Sequence, residues 1–230
     1  MKKLGVGKIA RSTVVNILKE AGLDTGPKRG EGTWDEFIKR HAETLWACDF
    51  FSKKVWSLCG LVEVFVLFFI HIGTRRVYVA GMTANPDKAW MTQQARNVSM
   101  FFAEQAVSPR FLLRDNDGKF VAEFDAILQD EGVEVKRLPL RSPNLNAIAE
   151  RFVGSIKGEC LDHFIAFGEA HLRYIISQYI AHYNTVRPHQ GVGNRPLSGP
   201  EPPKPSPVTV TDVVCETRLG GLLRHYRRAA

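Results

Sequence analysis

The chain is short of cysteine, and the four it has, Cys48, Cys59, Cys160 and Cys215, form no CxxC pair. A zinc ribbon and a disulfide scaffold are therefore not suggested, and a reducing compartment is expected. Long apolar runs are also missing. The longest, Leu61 to Ile72, includes Glu63 and His71 and is too short to span a bilayer, so it reads as a buried strand. At the start, Lys2, Lys3 and Lys8 stand where a signal peptide would need an apolar stretch. A cytoplasmic protein is expected. No internal repeat is found.

What the chain does have is an excess of positive charge, with 31 Lys and Arg against 24 Asp and Glu and a net charge of +7. This suits a polyanionic partner, although a solubilising surface accounts for it equally well.

Apolar spacing divides the chain. Ile9 to Leu23 has a helical pattern, with Ser12 or Thr13 as N-cap, Val14, Ile17 and Leu18 on one side, and Gly22 as the stop. Lys28 to Glu31 then reads as linker. From Thr44 the pattern turns to strands: Leu45 to Phe51, a second stretch through Ile72, and Arg76 to Thr83, joined closely enough for an antiparallel meander. Helices are expected over Ala89–Gln105 and Val121–Asp130, with strands at Arg110–Arg114 and Val133–Leu138; strand, helix, strand at this spacing implies parallel pairing. Two more helices follow, from Asn146 to about Phe164 and from Glu169 to Tyr183. Residues 198–207 (SGPEPPKPSP) read as an extended linker; beyond it Val208–Val214 looks like a strand and Arg218–Arg228 is basic. The sum is an α/β domain with a mixed sheet.

Three acids stand out. Asp49 lies inside the apolar strand LWACDFF, where a charge is costly without a partner or a metal ion, unless it caps a turn at a strand end. Asp115 and Asp117 follow the strand FLLR at its carboxyl end, where open α/β sheets place ligands; Asp-Asn-Asp-Gly is also good turn chemistry. Glu150 borders the core stripe Ala149, Phe152, Val153, Ile156 and Cys160, with Asn146 one turn before and Lys157 two turns after, and read alone it is a solvated glutamate. Phosphodiester chemistry would need such acids, because a hard cation with oxygen ligands neutralises the charge that builds on the phosphate.

These residues, taken in order, resemble the integrase core of the retroviral-integrase superfamily, and in particular bacterial insertion-sequence transposases with a DDE triad. Trp46-Ala-Cys-Asp49-Phe50 is similar to the first motif, and RDNDGKF (Arg114 to Phe120) to the second, whose spacing selects Asp115. SPNLNAIAERFVGSIKGECLDHF (Ser142 to Phe164) resembles the third, with Glu150 as the last acid and 34 residues, 116 to 149, between it and Asp115. YNTVRPHQG (Tyr183 to Gly191) resembles the tail that closes such cores. Two positions depart from the pattern: the family often has glycine at Asp117 and His, Ser or Thr at Arg114, which leaves Asp117 as either a spare ligand or a turn residue.

The resemblance implies an RNase H-like fold, a five-stranded mixed sheet flanked by helices. It also implies a metal-dependent DNA transposase or integrase whose catalytic and metal-binding residues are Asp49, Asp115 and Glu150, using magnesium or manganese, two ions in all. Its partners would be transposon ends and target DNA, its assembly a homo-oligomer, its place the bacterial cytoplasm at the nucleoid. Water would first free a 3′-hydroxyl, which then attacks target DNA. Asn146, Lys157, Lys136, Arg137 and Arg141 are candidates for gripping DNA, with solvated surface as the alternative. Arg187 and His189 would brace the last helix. Residues 1–32 would be a remnant of a helix-turn-helix domain plus linker, 33–197 the catalytic core, 198–207 a linker and 208–230 a basic tail. Competing readings are a DNA-binding remnant without activity and an RNase H-like nuclease that only hydrolyses; general bases at His163 or His189 would leave the ordered acids unexplained.

Overall fold

Alternation of apolar and polar residues over Leu45–Ser57 (LWACDFFSKKVWS) makes strand β1, and its first four residues are buried on both faces. A computed structural model describes residues 13, 16–17, 20–21, 34–138, 146–198 and 213–229. The chain divides into two compact units, Met1–Arg40 and His41–Ala230. In the first, Ala21 N–H donates to Ile17 C=O, a helical bond. Helix α1, Trp34–His41, ends at the boundary, and its Trp34 and Phe37 rings stack at 5.3 Å. Most of the expected Ile9–Leu23 helix and the linker after it lie outside the described residues.

In the second unit, β1 pairs antiparallel with β2 (Gly60–His71), and β2 with β3 (Val77–Thr83). The β2–β3 register shifts between Leu67 and Phe68. Near this irregularity Gly81 lies so close to helix α2 (Lys88–Ala103) that an added Cβ would stand 2.7 Å from Gln94 Oε1. Helix α2 starts where Asp87 accepts the Trp90 backbone N–H, an N-cap bond. Strand β4 (Phe111–Arg114) then lies parallel to β1 on its other side. After α3 (Ala122–Asp130), β5 (Glu134–Arg137) lies parallel to β4. The sheet order is β3-β2-β1-β4-β5. To the expected five strands the structure adds β6 (Ala166–Phe167), two residues parallel to β1 at Val55 and Trp56.

One sheet face buries Trp46, Cys48, Leu67, Phe69 and Leu112 against Met91, Ala95 and Val98 of α2 and Phe124 and Leu128 of α3. The other is covered by α4 (Ala147–Glu159) and α5 (Gly168–Thr185), where Phe152 packs on Phe51 and Phe68 and meets Tyr183. The expected long helix to Phe164 ends earlier. Cys160 leaves helical geometry at φ −140°, and a separate 3-10 turn covers Leu161–His163.

The C-terminal basic stretch is a strand as well. Val213–Arg218 (β7) and Leu223–Arg228 (β8) form an antiparallel hairpin, turned through Leu219, Gly220 and Gly221, all at positive φ. Alternation hides this in LRHYRR, where Leu223 alone is buried. The proline-rich residues 199–207 lie outside the described residues. No helix among the described residues is long and apolar enough to cross a membrane.

Candidate active site

Strand register decides which acids meet. Ala47 of β1 pairs in parallel with Leu113 of β4, and Asp49 and Asp115 each follow two residues later, near enough for the charge of Asp115 to raise the Asp49 pKa. Asp49 pairs across β1 and β2 with Phe68, which contacts Phe152 of α4. Beyond Ala47 this edge of β1 has no strand partner among the described residues until Val55 meets β6. Asp49 opens that gap.

Helix α4 closes the site from above. Asn146, just before its first turn, is 7% exposed, and its Nδ2 donates to Asp49 Oδ2 at 3.1 Å. The other Asp49 oxygen accepts the Phe50 backbone N–H at 2.7 Å. Glu150 lies one turn on from Asn146, exposed, on the same side of the helix. Burial first, and then the charges of Asp115, Asp117 and Glu150, lift the Asp49 pKa to about 6 against the pull of the Phe50 bond.

The neighbouring acids are satisfied differently. Asp117 accepts the backbone N–H and the Nζ of Lys119, both bonds within 2.9 Å. Burial works against its ionisation, but these bonds hold its pKa below the usual range. Lys119 in turn lies over the rings of Phe50 and Phe65, which belong to the opposite sheet face. Asp115 Oδ1 accepts the Asp117 backbone N–H at 3.1 Å, and neither it nor Glu150 meets a cation among the described residues. No three His, Cys, Asp or Glu side chains among the described residues are grouped as a finished metal cage.

Arg114, unusual at its position, has a structural partner the sequence did not reveal. Its guanidinium makes two bonds, of 2.8 and 2.7 Å, to Asp125 of α3, which also accepts from Arg137 at 2.7 Å. The expected DNA-gripping residues therefore divide. Asn146 faces Asp49; Arg137 is paired with Asp125 and Lys136 with Glu134; Lys157 shares the Glu150 face of α4; Arg141 lies outside the described residues. Arg187 pairs with Glu159 near the end of α4, and Tyr179 donates to the same carboxylate, so the tail after α5 is tied to the helix that carries Glu150.

With this geometry in place, comparison with known proteins is informative. Residues 131–196 match the family model described as integrase core domain. That segment, from the end of α3 to the tail after α5, is similar to an integrase core domain. Glu150 falls within the matched segment, and Asp49 and Asp115 precede it. A protein of insertion element IS476 from Xanthomonas euvesicatoria, an uncharacterized 39.2 kDa protein, is 34% identical over 89 residues, 38% of this chain and 26% of that protein. The chain thus matches about a quarter of the length of that relative. Among solved structures, the integrase catalytic core domain of HTLV-2, determined with magnesium in a trimeric form, is similar with a TM-score of 0.51 at 13% identity, covering 66% of this chain and 93% of that one. At that identity the likeness establishes the fold, which is RNase H-like, with a mixed sheet between helices.

Proposed function

We propose that this integrase core is a DNA transposase that cuts and joins DNA strands with Asp49, Asp115 and Glu150. The observation that carries the reading is that Asp49 lies within electrostatic reach of Asp115 and Glu150 and is bonded to Asn146 at the start of the helix that bears Glu150. All three are oxygen donors, and none has a cationic partner among the described residues.

The residues fit a hard divalent ion. Besides the carboxylates, Asn146 Oδ1 is a buried acceptor with no hydrogen-bond partner, beside Asp49. Asp49, Asp115 and Glu150 would hold magnesium or manganese, two ions in this reading, which would supply charge neutralisation and activation of the attacking oxygen. The protein's own part is placement. Asp49 and Asp115 fix one wall from the sheet, Asn146 orients Asp49, and Glu150 supplies the wall from α4. Water would release a 3′-hydroxyl, and the same site would then set that hydroxyl against target DNA.

The substrates in this reading are transposon ends and a target duplex, bound by a homo-oligomer, with Lys157, Lys136 and Arg137 toward the strand. Residues 33–197 form the catalytic core in this reading. Purified protein with labelled duplex ends and magnesium should yield joined products. Fragments alone would mean a nuclease, and a shifted band without chemistry a binding remnant; either overturns the reading.

A further inference from the structure

A second constellation lies on the far flank of α4. In the turn between β2 and β3, Arg75 holds φ 66°, a left-handed conformation that residues with a Cβ rarely adopt. Its guanidinium turns inward, and Nη1 is buried without a hydrogen-bond partner. Together with Arg151, Ser155, Tyr183 and Arg187 it lines a cleft of about 650 Å³.

The charges here are unbalanced. Arg187 is matched by Glu159, but neither Arg75 nor Arg151 meets an acid among the described residues. Burial and the charge of Arg151 both work against Arg75 keeping its proton, and only Tyr183 pulls the other way. A strained backbone, a buried donor left empty and two facing cations each destabilise the folded chain. An anion in the cleft would relieve the last two together. Guanidinium groups bind phosphate oxygens in forked pairs, and the hydroxyls of Ser155 and Tyr183 line the same cleft.

Position says which phosphate. Arg151 follows Glu150 directly, about 100° around the same helix. A strand laid across α4 with one phosphate at the acids would present a neighbouring phosphate to Arg151 and Arg75. We propose that this cleft holds a backbone phosphate of the DNA strand, away from the bond that reacts. The inference rests on the reading of the chain as a DNA-cutting core and adds a binding site to it.

The test uses the full chain and a labelled duplex, with affinity followed by fluorescence anisotropy over a series of salt concentrations. Arg75→Gln and Arg151→Gln should each weaken binding, and the double variant should reduce the slope of log affinity against log salt by about 0.9, the loss of one phosphate contact. Arg75→Gly serves as the folding control, because glycine accepts φ 66° without strain; it should lose the same affinity while melting no lower than the parent. A double variant that keeps the parent's slope overturns the cleft assignment and leaves the catalytic reading standing. Stabilisation of the parent by inorganic phosphate, lost in the double variant, with an unchanged DNA slope would mean a free anion site and also overturns it. A parent chain that binds no duplex at low salt overturns both.

Discussion

The side-chain amide of Asn146 donates to Oδ2 of Asp49 across 97 residues of sequence. One hydrogen bond thereby joins the start of the helix that carries Glu150 to the most buried acid of the sheet. It also fixes the amide's orientation, so that Asn146 Oδ1 is the atom left without a partner. Asn146 is a positioning residue, and several consequences can be measured.

Replacing Asn146 by Asp sets another carboxylate against Asp49. Burial already holds Asp49 near 6, and an added negative neighbour moves it higher. A carboxyl NMR titration of chelator-treated protein should find Asp49 titrating above the parent value in Asn146→Asp and staying nearer to it in Asn146→Ala. Identical titrations in all three proteins would mean that the amide does not govern Asp49.

Asp49 should lower the stability of the metal-free fold. Its folded pKa, about 6, lies above the ordinary carboxylate value, so its contribution is fully favourable below the unfolded pKa and is lost as pH rises through 6. Asp49→Asn in chelator at pH 7.5 should therefore melt a few degrees higher, about 2–4 °C for each kcal/mol recovered, while losing all joining activity. Magnesium should raise the melting point of the parent and leave that of the variant unmoved. A variant that melts lower in chelator contradicts the burial argument.

Asp115 and Asp117 should separate cleanly. Asp115→Asn and Glu150→Gln should abolish joining with folding and duplex binding kept. Asp117→Asn, which loses only its partly exposed pair with Lys119, should cost about 0–1 kcal/mol and leave joining largely intact. Loss of joining in Asp117→Asn with activity kept in Asp115→Asn would reverse the assignment.

The buried Arg114–Asp125 pair should set the acid limit of the fold. Burial opposes ionisation of Asp125, yet its bonds to Arg114 and Arg137 hold its pKa below the ordinary value. Its stabilising contribution is present above the unfolded pKa and is lost as pH falls through the folded one. Asp125→Ala, which strands Arg114 at 3% exposure, should cost about 3–5 kcal/mol in urea unfolding at pH 7, with a much smaller loss at pH 2. An equal loss at both pH values would remove the ion pair from the explanation.

Much of the sheet was legible from apolar periodicity, because its central strands carry unbroken runs such as Val64 to Ile70. Strand β1 was read only as far as Phe51, since Ser52, Lys53 and Lys54 look like loop chemistry; in the fold they pair with β2, with Ser52 bonded to Glu63 and Lys53 to Leu161 C=O. The acids were legible from motif order. The partner of Arg114 was not, because Asp125 sits on a helix whose charge pattern looks solvated until α3 is laid on β4. Nor was Arg75, whose significance lies in a backbone angle and a cleft that no spacing encodes. Asn146 was read as a candidate for gripping DNA because it shares the Glu150 face, whereas the start of α4 turns it inward onto Asp49.

The β1–β2–β3 meander is built from neighbours in sequence, whereas Glu150 reaches Asp49 only after β4, β5 and the start of α4 have been added. Local hairpins close with little loop entropy, and distant contacts follow later. A nascent chain leaving the ribosome would thus hold a protected hairpin well before it holds three acids. The bond from Asn146 to Asp49 forms only after α4 has been made, and pulse-labelled hydrogen exchange should find amides of β1 and β2 shielded before those of α4.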